Sequence, residues 1–257
     1  MQGTVQSLYH YPVKGLTPQR MPNVELAPGR GFPFDRVYAF ARHDSGYDPD
    51  QFRPLPKNRF LVLMTDAALA GLSTWFDPKT GQLTVSQDAR TILDADLQSP
   101  EGAAQACDFF ASYLGLPEGE HPVLASGGDN RFTDVSVVST AMMNAVSLIN
   151  LETVRDFESR ISQPVDPLRF RGNIYFEGWS AGSELDLVDR EITIGDVRLR
   201  VCKRTRRCPA TQVNPTTAER DIDVPALIDK EYGHFDMGIY AEVLTGGQIA
   251  PGSVISL

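Results

Sequence analysis

A chain of 257 residues, 42% hydrophobic and 22% charged, has the length and composition of a globular protein that buries a sizeable core in one large domain or two small ones. Its net charge of −9 disfavours non-specific binding to nucleic acid or an anionic membrane, and no apolar run approaches the roughly 20 residues of a membrane span. Three cysteines make no disulfide framework and the opening MQGTVQSLYH lacks the pattern of a signal peptide, so a reducing, cytoplasmic setting is expected.

Up to about Val85 the chain reads as short strands punctuated by Gly and Pro, the pattern of a small barrel. TVQSLYHYPVKG carries Val5, Leu8, Tyr9, Tyr11 and Val13. A Gly-rich turn in GRGFPFDRVYAFAR precedes a strand RVYAFA. LVLM predicts a short buried strand, and Asp66 a cap for a helix over AALAGLSTWF; DPKTGQ is a turn and LTVS a strand.

Pro100 to Leu114 predicts a helix, with Ser99 as N-cap, Pro100 at the first position and Glu101 in the first turn. Ala103, Ala104, Cys107, Phe110 and Leu114 share its apolar face, which makes Cys107 a packed core thiol. A second helix starts at Asn150 and buries Leu151, Val154, Phe157 and Ile161. NIYFE reads as a strand, EITIGDVRLRVC as a hairpin turning at Gly195-Asp196, and GIYAEVLTGGQIAPGSVISL as a closing hairpin. The fold class is mainly β with a few helices. A soft boundary in GLPEGEHPVLASGGDN divides the chain into residues 1–120 and 121–257.

Three constellations carry candidate chemistry. In VCKRTRRCPATQVNP, Cys208 follows Arg204, Arg206 and Arg207. Nearby cations favour a thiolate, the form that attacks and that ligates metals, but the string also fits a half-buried thiol beside a solvated basic turn. RFRGN, Arg169 to Asn173, offers arginines suited to phosphate and an amide suited to a heterocycle edge, and it equally fits a solvated strand end. YPVKG and FDR supply Lys14 and Arg36. Taken together, Lys14, Arg36, Arg171 and Arg207 would make a basic cleft in an acidic protein, with a cysteine at its floor. Cys202 and Cys208 lack the usual zinc-knuckle spacing, the four histidines are scattered, and no G-x-G-x-x-G or P-loop is present.

These motifs, in this order and over essentially the whole chain, resemble the MOSC family, named for the C-terminal domain of molybdenum cofactor sulfurase. YPVKG and GRGFPFDRVYAF are similar to the N-terminal β-barrel that precedes MOSC domains. DPLRFRGNIYFEG, IGDVRLRVCKRTRRCPATQVNP and HFDMGIYAEVLTGGQIAPGSVISL are similar to the MOSC domain itself. The resemblance implies a MOSC β-barrel packed on a smaller barrel, and a molybdenum cofactor (Mo-molybdopterin). It implies Cys208 as the metal ligand and catalytic residue, with Lys14, Arg36, Arg171, Asn173 and Arg207 as cofactor contacts.

Nearer relatives of the YcbX-like and amidoxime-reducing kind imply an oxidoreductase acting on small N-hydroxylated compounds. The alternative is a cofactor carrier, or a sulfur-transfer protein using Cys208. Against those relatives, Gly15 stands where a serine is usual, Asn214 where an aspartate is usual, and Arg206 where a serine is expected. A ferredoxin domain is not visible, and three cysteines cannot hold a four-thiolate cluster, so a separate ferredoxin or flavin reductase is expected to supply electrons.

Overall fold

Val5 and Leu8 lie three residues apart, yet both are fully buried in strand β1 (Gln2–His10). A bulge between Val5 and Ser7 resets the alternation and turns both side chains to one face. The computed structural model describes all residues 1–257. Its first half continues through β2 (Gln19–Met21), β3 (Val24–Leu26), β4 (Tyr38–Ala41), β5 (Ser73–Asp77), β6 (Gln82–Gln87), β7 (Arg90–Asp96), helix α1 (Pro100–Tyr113) and β8 (Val123–Ser126). The second half comprises α2 (Thr140–Met143), β9 (Val146–Asn150), α3 (Leu151–Ile161), β10 (Ile174–Glu177), β11 (Glu191–Ile194), β12 (Val197–Arg206), α4 (Val224–Tyr232), β13 (Asp236–Thr245), β14 (Gly247–Ile249) and β15 (Val254–Ser256).

The fold is mainly β. Seven strands in the order β10-β9-β13-β12-β11-β15-β1 close into a barrel through the pairing of β1 with β10, and β2 extends the β1 edge. Only β9 and β10 run parallel, joined through α3. Alternating inward residues fill the barrel, among them Leu148, Phe176, Leu199, Val201 and Ile239. Strand β9 is buried along its whole length because its other face meets α3 and α4, where Ile149, Val154, Phe157 and Ile228 pack. In the first half, α1 covers the antiparallel sheet β5-β6-β7 through Phe110, Ala106, Leu83 and Leu93, and β4 pairs with β8. No helix is long and apolar enough to cross a membrane.

The cap expected at Ser99 forms, accepting from the Gly102 N–H, and Asn150, expected as the start of the second helix, instead caps it, accepting from the Glu152 N–H. Cys107 is buried, but the apolar face of α1 runs through Gly102, Ala106 and Ala111, leaving Ala104 exposed. Four expectations are corrected. Leu61, Val62 and Leu63 are buried and Met64 half-buried, but the segment forms no strand; the bridge to Ala41 is made by Phe60 just before it. Ala67–Phe76 is not one helix but a single 3₁₀ turn, Ala67–Gly71, followed by β5, where Thr74 and Phe76 alternate inward against β6. The Asp66 carboxylate does not cap that turn; it accepts from Arg42 and Thr65 instead. The last twenty residues do not fold back on themselves: β13 pairs with β12 and β9, β14 with β3, and β15 with β11 and β1. β13 and β15 take their partners within the closed barrel, while β14 joins β3 in a separate two-stranded sheet.

Candidate functional site

One end of β12 meets the segments around Lys14, Arg36 and residues 57–64, and between them opens a cleft of about 230 Å³. Nine cationic side chains line it against two carboxylates, Asp35 and Asp134, in a chain whose net charge is −9. Such a local reversal of sign focuses an anionic ligand. All six residues expected from the sequence, Lys14, Arg36, Arg171, Asn173, Arg207 and Cys208, line this cleft. Cys202 does not; it lies on β12 and its thiol donates to the Arg200 carbonyl at 3.3 Å.

Cys208 lies two residues beyond the end of β12, where Pro209 cannot continue the ladder and a 3₁₀ turn, Pro209–Gln212, begins. The Cys208 backbone is extended, and its carbonyl accepts from the Thr211 N–H at 3.0 Å and the Thr211 hydroxyl at 2.9 Å. The thiol is half-buried, and Lys57 lines the cleft beside it. Lys57 also donates to Asp134 Oδ2 at 3.2 Å, while Lys14 donates to Asp134 Oδ1 and, at 2.8 Å, to the Phe132 carbonyl. Burial opposes the Asp134 charge, but Lys14 and Lys57 outweigh it and hold the carboxyl well below its ordinary range. Burial lowers the pKa of Lys14, and Asp134 offsets part of that fall. Burial also disfavours the Lys57 charge, yet Asp134 and Cys208 lift its pKa above the ordinary lysine range.

Tyr11 organises the opposite wall. The Arg36 and Arg171 guanidiniums lie 4.5 and 4.3 Å from the centre of its buried ring. Arg36 Nη2 donates to the Arg171 carbonyl at 3.0 Å, Arg36 Nη1 pairs with Asp35, and Arg171 Nη2 donates to the Leu16 carbonyl at 2.9 Å. Both arginines hold a left-handed backbone, φ +50°, a strain of about 1–3 kcal/mol each that surrounding contacts must sustain. Burial opposes the Arg36 charge but Asp35 and Tyr11 overcompensate; Arg171, lacking its own carboxylate, is pushed down by burial and by Arg36 beside it. Arg207 is likewise lowered by burial. Its protein acceptors are carbonyls, of Met237 (at 2.8 Å from Nε) and Phe170 (at 2.7 Å from Nη1). An anion in the cleft would restore what burial takes from these cations.

Asn173 plays a different part from a free ligand. Its Oδ1 accepts from the Ser147 N–H at 3.1 Å and hydroxyl at 2.9 Å, and its Nδ2 donates to the Tyr9 carbonyl at 3.2 Å, so it ties β9, β10 and β1 together behind the cleft. Of the two arginines in RFRGN, Arg169 turns away. Its Nη2 donates to both oxygens of Asp221 at 2.7 and 2.8 Å, and its Nη1 to the Gln212 carbonyl at 3.0 Å, fastening the loop that follows Cys208. Arg206 is exposed and lies 4.2 Å from the Phe235 ring, and Arg204 binds Leu185 and Asp186. Gly15, at φ +86°, has no room for a side chain: a Cβ would sit 2.6 Å from the Leu61 carbonyl oxygen. Sequence reading missed Lys57, Asp134 and Tyr11 as members of the site. Asp35, adjacent to Arg36 in FDR, was the only new partner with a local signal.

No three His, Cys, Asp or Glu side chains gather as a metal site. One thiol among many cations therefore suits a metal that arrives with ligands of its own on an anionic carrier. Two buried atoms on residues lining the cleft, Thr205 Oγ1 and Arg169 Nε, have no hydrogen-bond partner within the protein. The donor set fits a molybdenum–pterin cofactor.

Comparison with known proteins identifies the family. Residues 129–256 match the MOSC domain and residues 2–120 the MOSC N-terminal beta barrel domain. The chain belongs to the MOSC family. It is 26% identical over 194 residues to a molybdenum cofactor sulfurase of Drosophila ananassae, covering 73% of this chain and 24% of that protein. Against the molybdenum cofactor sulfurase of Drosophila pseudoobscura pseudoobscura it is 33% identical over 119 residues, 45% of this chain and 14% of that one. The chain thus spans less than a quarter of the length of these relatives. Among solved structures it is similar to YuaD from Bacillus subtilis, with 11% identity, a TM-score of 0.46 and coverage of 99% of this chain and 94% of that one. YiiM from Geobacillus stearothermophilus is similar over 44% of this chain and 53% of its own, with 22% identity and a TM-score of 0.35.

Proposed function

We propose that this chain holds a molybdenum–pterin cofactor in the cationic cleft and acts as an oxidoreductase on N-hydroxylated compounds: hydroxylamines, amidoximes or N-hydroxylated bases. The observation that supports it most is the convergence of a half-buried thiol, Cys208, with Lys14, Lys57, Arg36, Arg171 and Arg207 in one cleft that has few carboxylates of its own. In this reading Cys208 Sγ ligates the metal, and Lys57, which lines the same cleft, places a cation beside it. Arg36, Arg171 and Arg207 hold the anionic end of the cofactor, pre-oriented by Tyr11, Phe170 and backbone carbonyls. Asn173 acts by fixing the strands behind them. The bound cofactor supplies two-electron redox chemistry, and the protein supplies orientation and charge. Overall, the N–O bond of the substrate breaks, two electrons and two protons enter, and water leaves. The electrons come from a separate ferredoxin or flavin reductase in the cytoplasm.

A second reading is favoured by the name of the Drosophila relatives: the chain carries the cofactor, or passes sulfur to it, through Cys208. One experiment separates the two. Protein purified from a host that makes molybdenum cofactor should contain one molybdenum per chain and a releasable pterin. It should reduce an amidoxime with reduced viologen, but with NADH only after a reductase is added. Absence of molybdenum and pterin would overturn both readings. Holoprotein inert with every reductant, yet able to activate an apo-molybdoenzyme, would replace the first with the second.

A further inference from the structure

Beside the cationic cleft lies a second cavity of about 280 Å³ with the opposite character. The Ala67–Gly71 turn, the Gly15–Pro18 segment and the loop after Cys208 enclose it. Its walls are mainly apolar, including Leu16, Leu69, Leu72, Leu168 and Val213. The two cavities adjoin, with Gly15, Leu63, Arg169, Arg171 and Ala210 lining both. These shared residues are held in place: Arg171 by the Leu16 carbonyl and the Tyr11 ring, Arg169 by Asp221, and the Leu63 carbonyl by Arg220 Nη2 at 3.0 Å. Gly15 packs too closely on Leu61 to carry a side chain.

From this juxtaposition we infer that the second cavity is the specificity pocket of the cleft. It takes the apolar, one- or two-ring body of a substrate whose polar N-hydroxylated end lies on the Cys208 side. The inference rests on the reductase reading above and selects within it. The cationic cleft suits the anionic cofactor, whereas the neutral remainder of a substrate gains most where apolar area leaves water. A cavity of this size has room for a ring system, since one of about 150 Å³ already holds benzene. N-hydroxylated compounds with small or strongly polar bodies would leave the leucines unpaired.

The test uses molybdenum-loaded protein and three amidoximes with methyl, cyclohexyl and 2-naphthyl bodies, their binding measured by saturation-transfer NMR and equilibrium dialysis. The ring compounds should bind roughly tenfold or more tighter than the methyl compound, since burying several carbon atoms suffices for a tenfold gain. In Ala70→Trp, which fills the cavity from its half-exposed rim, that advantage should vanish at constant molybdenum content. Ala70→Leu, a smaller filling, should exclude naphthyl more than cyclohexyl and guards against a failure of the tryptophan variant to fold. Equal binding of all three compounds, or ring binding indifferent to both fillings, would overturn the pocket while leaving the reductase reading intact. Failure of every amidoxime both to bind and to be reduced would remove both.

Discussion

Replacing Asp134 by asparagine removes the one carboxylate shared by Lys14 and Lys57. The Lys14 side chain is 6% exposed and Asp134 42% exposed, so the pair is neither a surface ion pair nor a fully buried one. Breaking a buried pair by removing one partner costs about 3–5 kcal/mol, and an exposed pair contributes about 0–1 kcal/mol. Screening at the open side of Asp134 places the loss in between, at about 1–3 kcal/mol. In a chain of 257 residues each kcal/mol moves the Tm by about 2–4 °C, so the variant should melt about 2–12 °C lower at pH 7. The sign with pH follows from the carboxyl being held below its ordinary range by Lys14 and Lys57. Its stabilisation is fully present above the unfolded carboxylate pKa of about 4 and fades as pH falls through the lower folded value. Wild type and variant should therefore differ most at neutral pH and converge in acid. Differential scanning fluorimetry of apoprotein between pH 3 and 8 measures both. Equal Tm values at pH 7, or a gap that widens in acid, would refute the reasoning. Cofactor loading should narrow the gap, because the ligand then gives the two lysines another anion.

Three further outcomes are expected. Iodoacetamide at pH 8 should modify Cys208 and spare Cys107, whose thiol burial pushes up to about 11; mass spectrometry of peptides reads both sites, and preferential labelling of Cys107 would contradict the assignment. Cys208→Ala should lose molybdenum while keeping its Tm within a few degrees, and Cys107→Ala should keep molybdenum and lose about 1–2 kcal/mol of packing in urea unfolding. Gly15→Ser should not restore a hydroxyl contact but destabilise by roughly 1–3 kcal/mol, since it adds strain at φ +86° and a clash with Leu61; an unchanged denaturation midpoint would show that the segment can move aside.

Much of the fold was legible in local pattern. Alternation in VRLRVCKRTR marks β12, and Ser99-Pro100-Glu101 marks the start of α1, because cap and pleat chemistry act within a few residues. STWFD was read into a helix although it alternates with period two, and its partner β6 decided the matter. The last twenty residues carry turn signals suited to a hairpin, yet they pair with strands outside the segment: β13 and β15 with β1, β9, β11 and β12 in the closed barrel, and β14 with β3 beside it.

The site divides along the same line. Lys14, Arg36, Arg171, Arg207 and Cys208 could be picked out because each stands at a strand end or turn with a chemically specific neighbourhood. Arg169 and Arg171 are indistinguishable as residues, however. A 3₁₀ turn followed by a left-handed backbone at Arg171 directs one to Asp221 and the other to Tyr11. Lys57 and Asp134 lie 77 positions apart in segments with no motif, and they meet at Cys208 only because the fold brings loops from both halves over the end of the barrel. The residue types that answer a cofactor's chemistry were written in the sequence. Which cations are already neutralised, which carbonyls hold them and which cavity adjoins them depend on long-range packing, since electrostatic and hydrogen-bond partners are chosen by distance in space rather than along the chain.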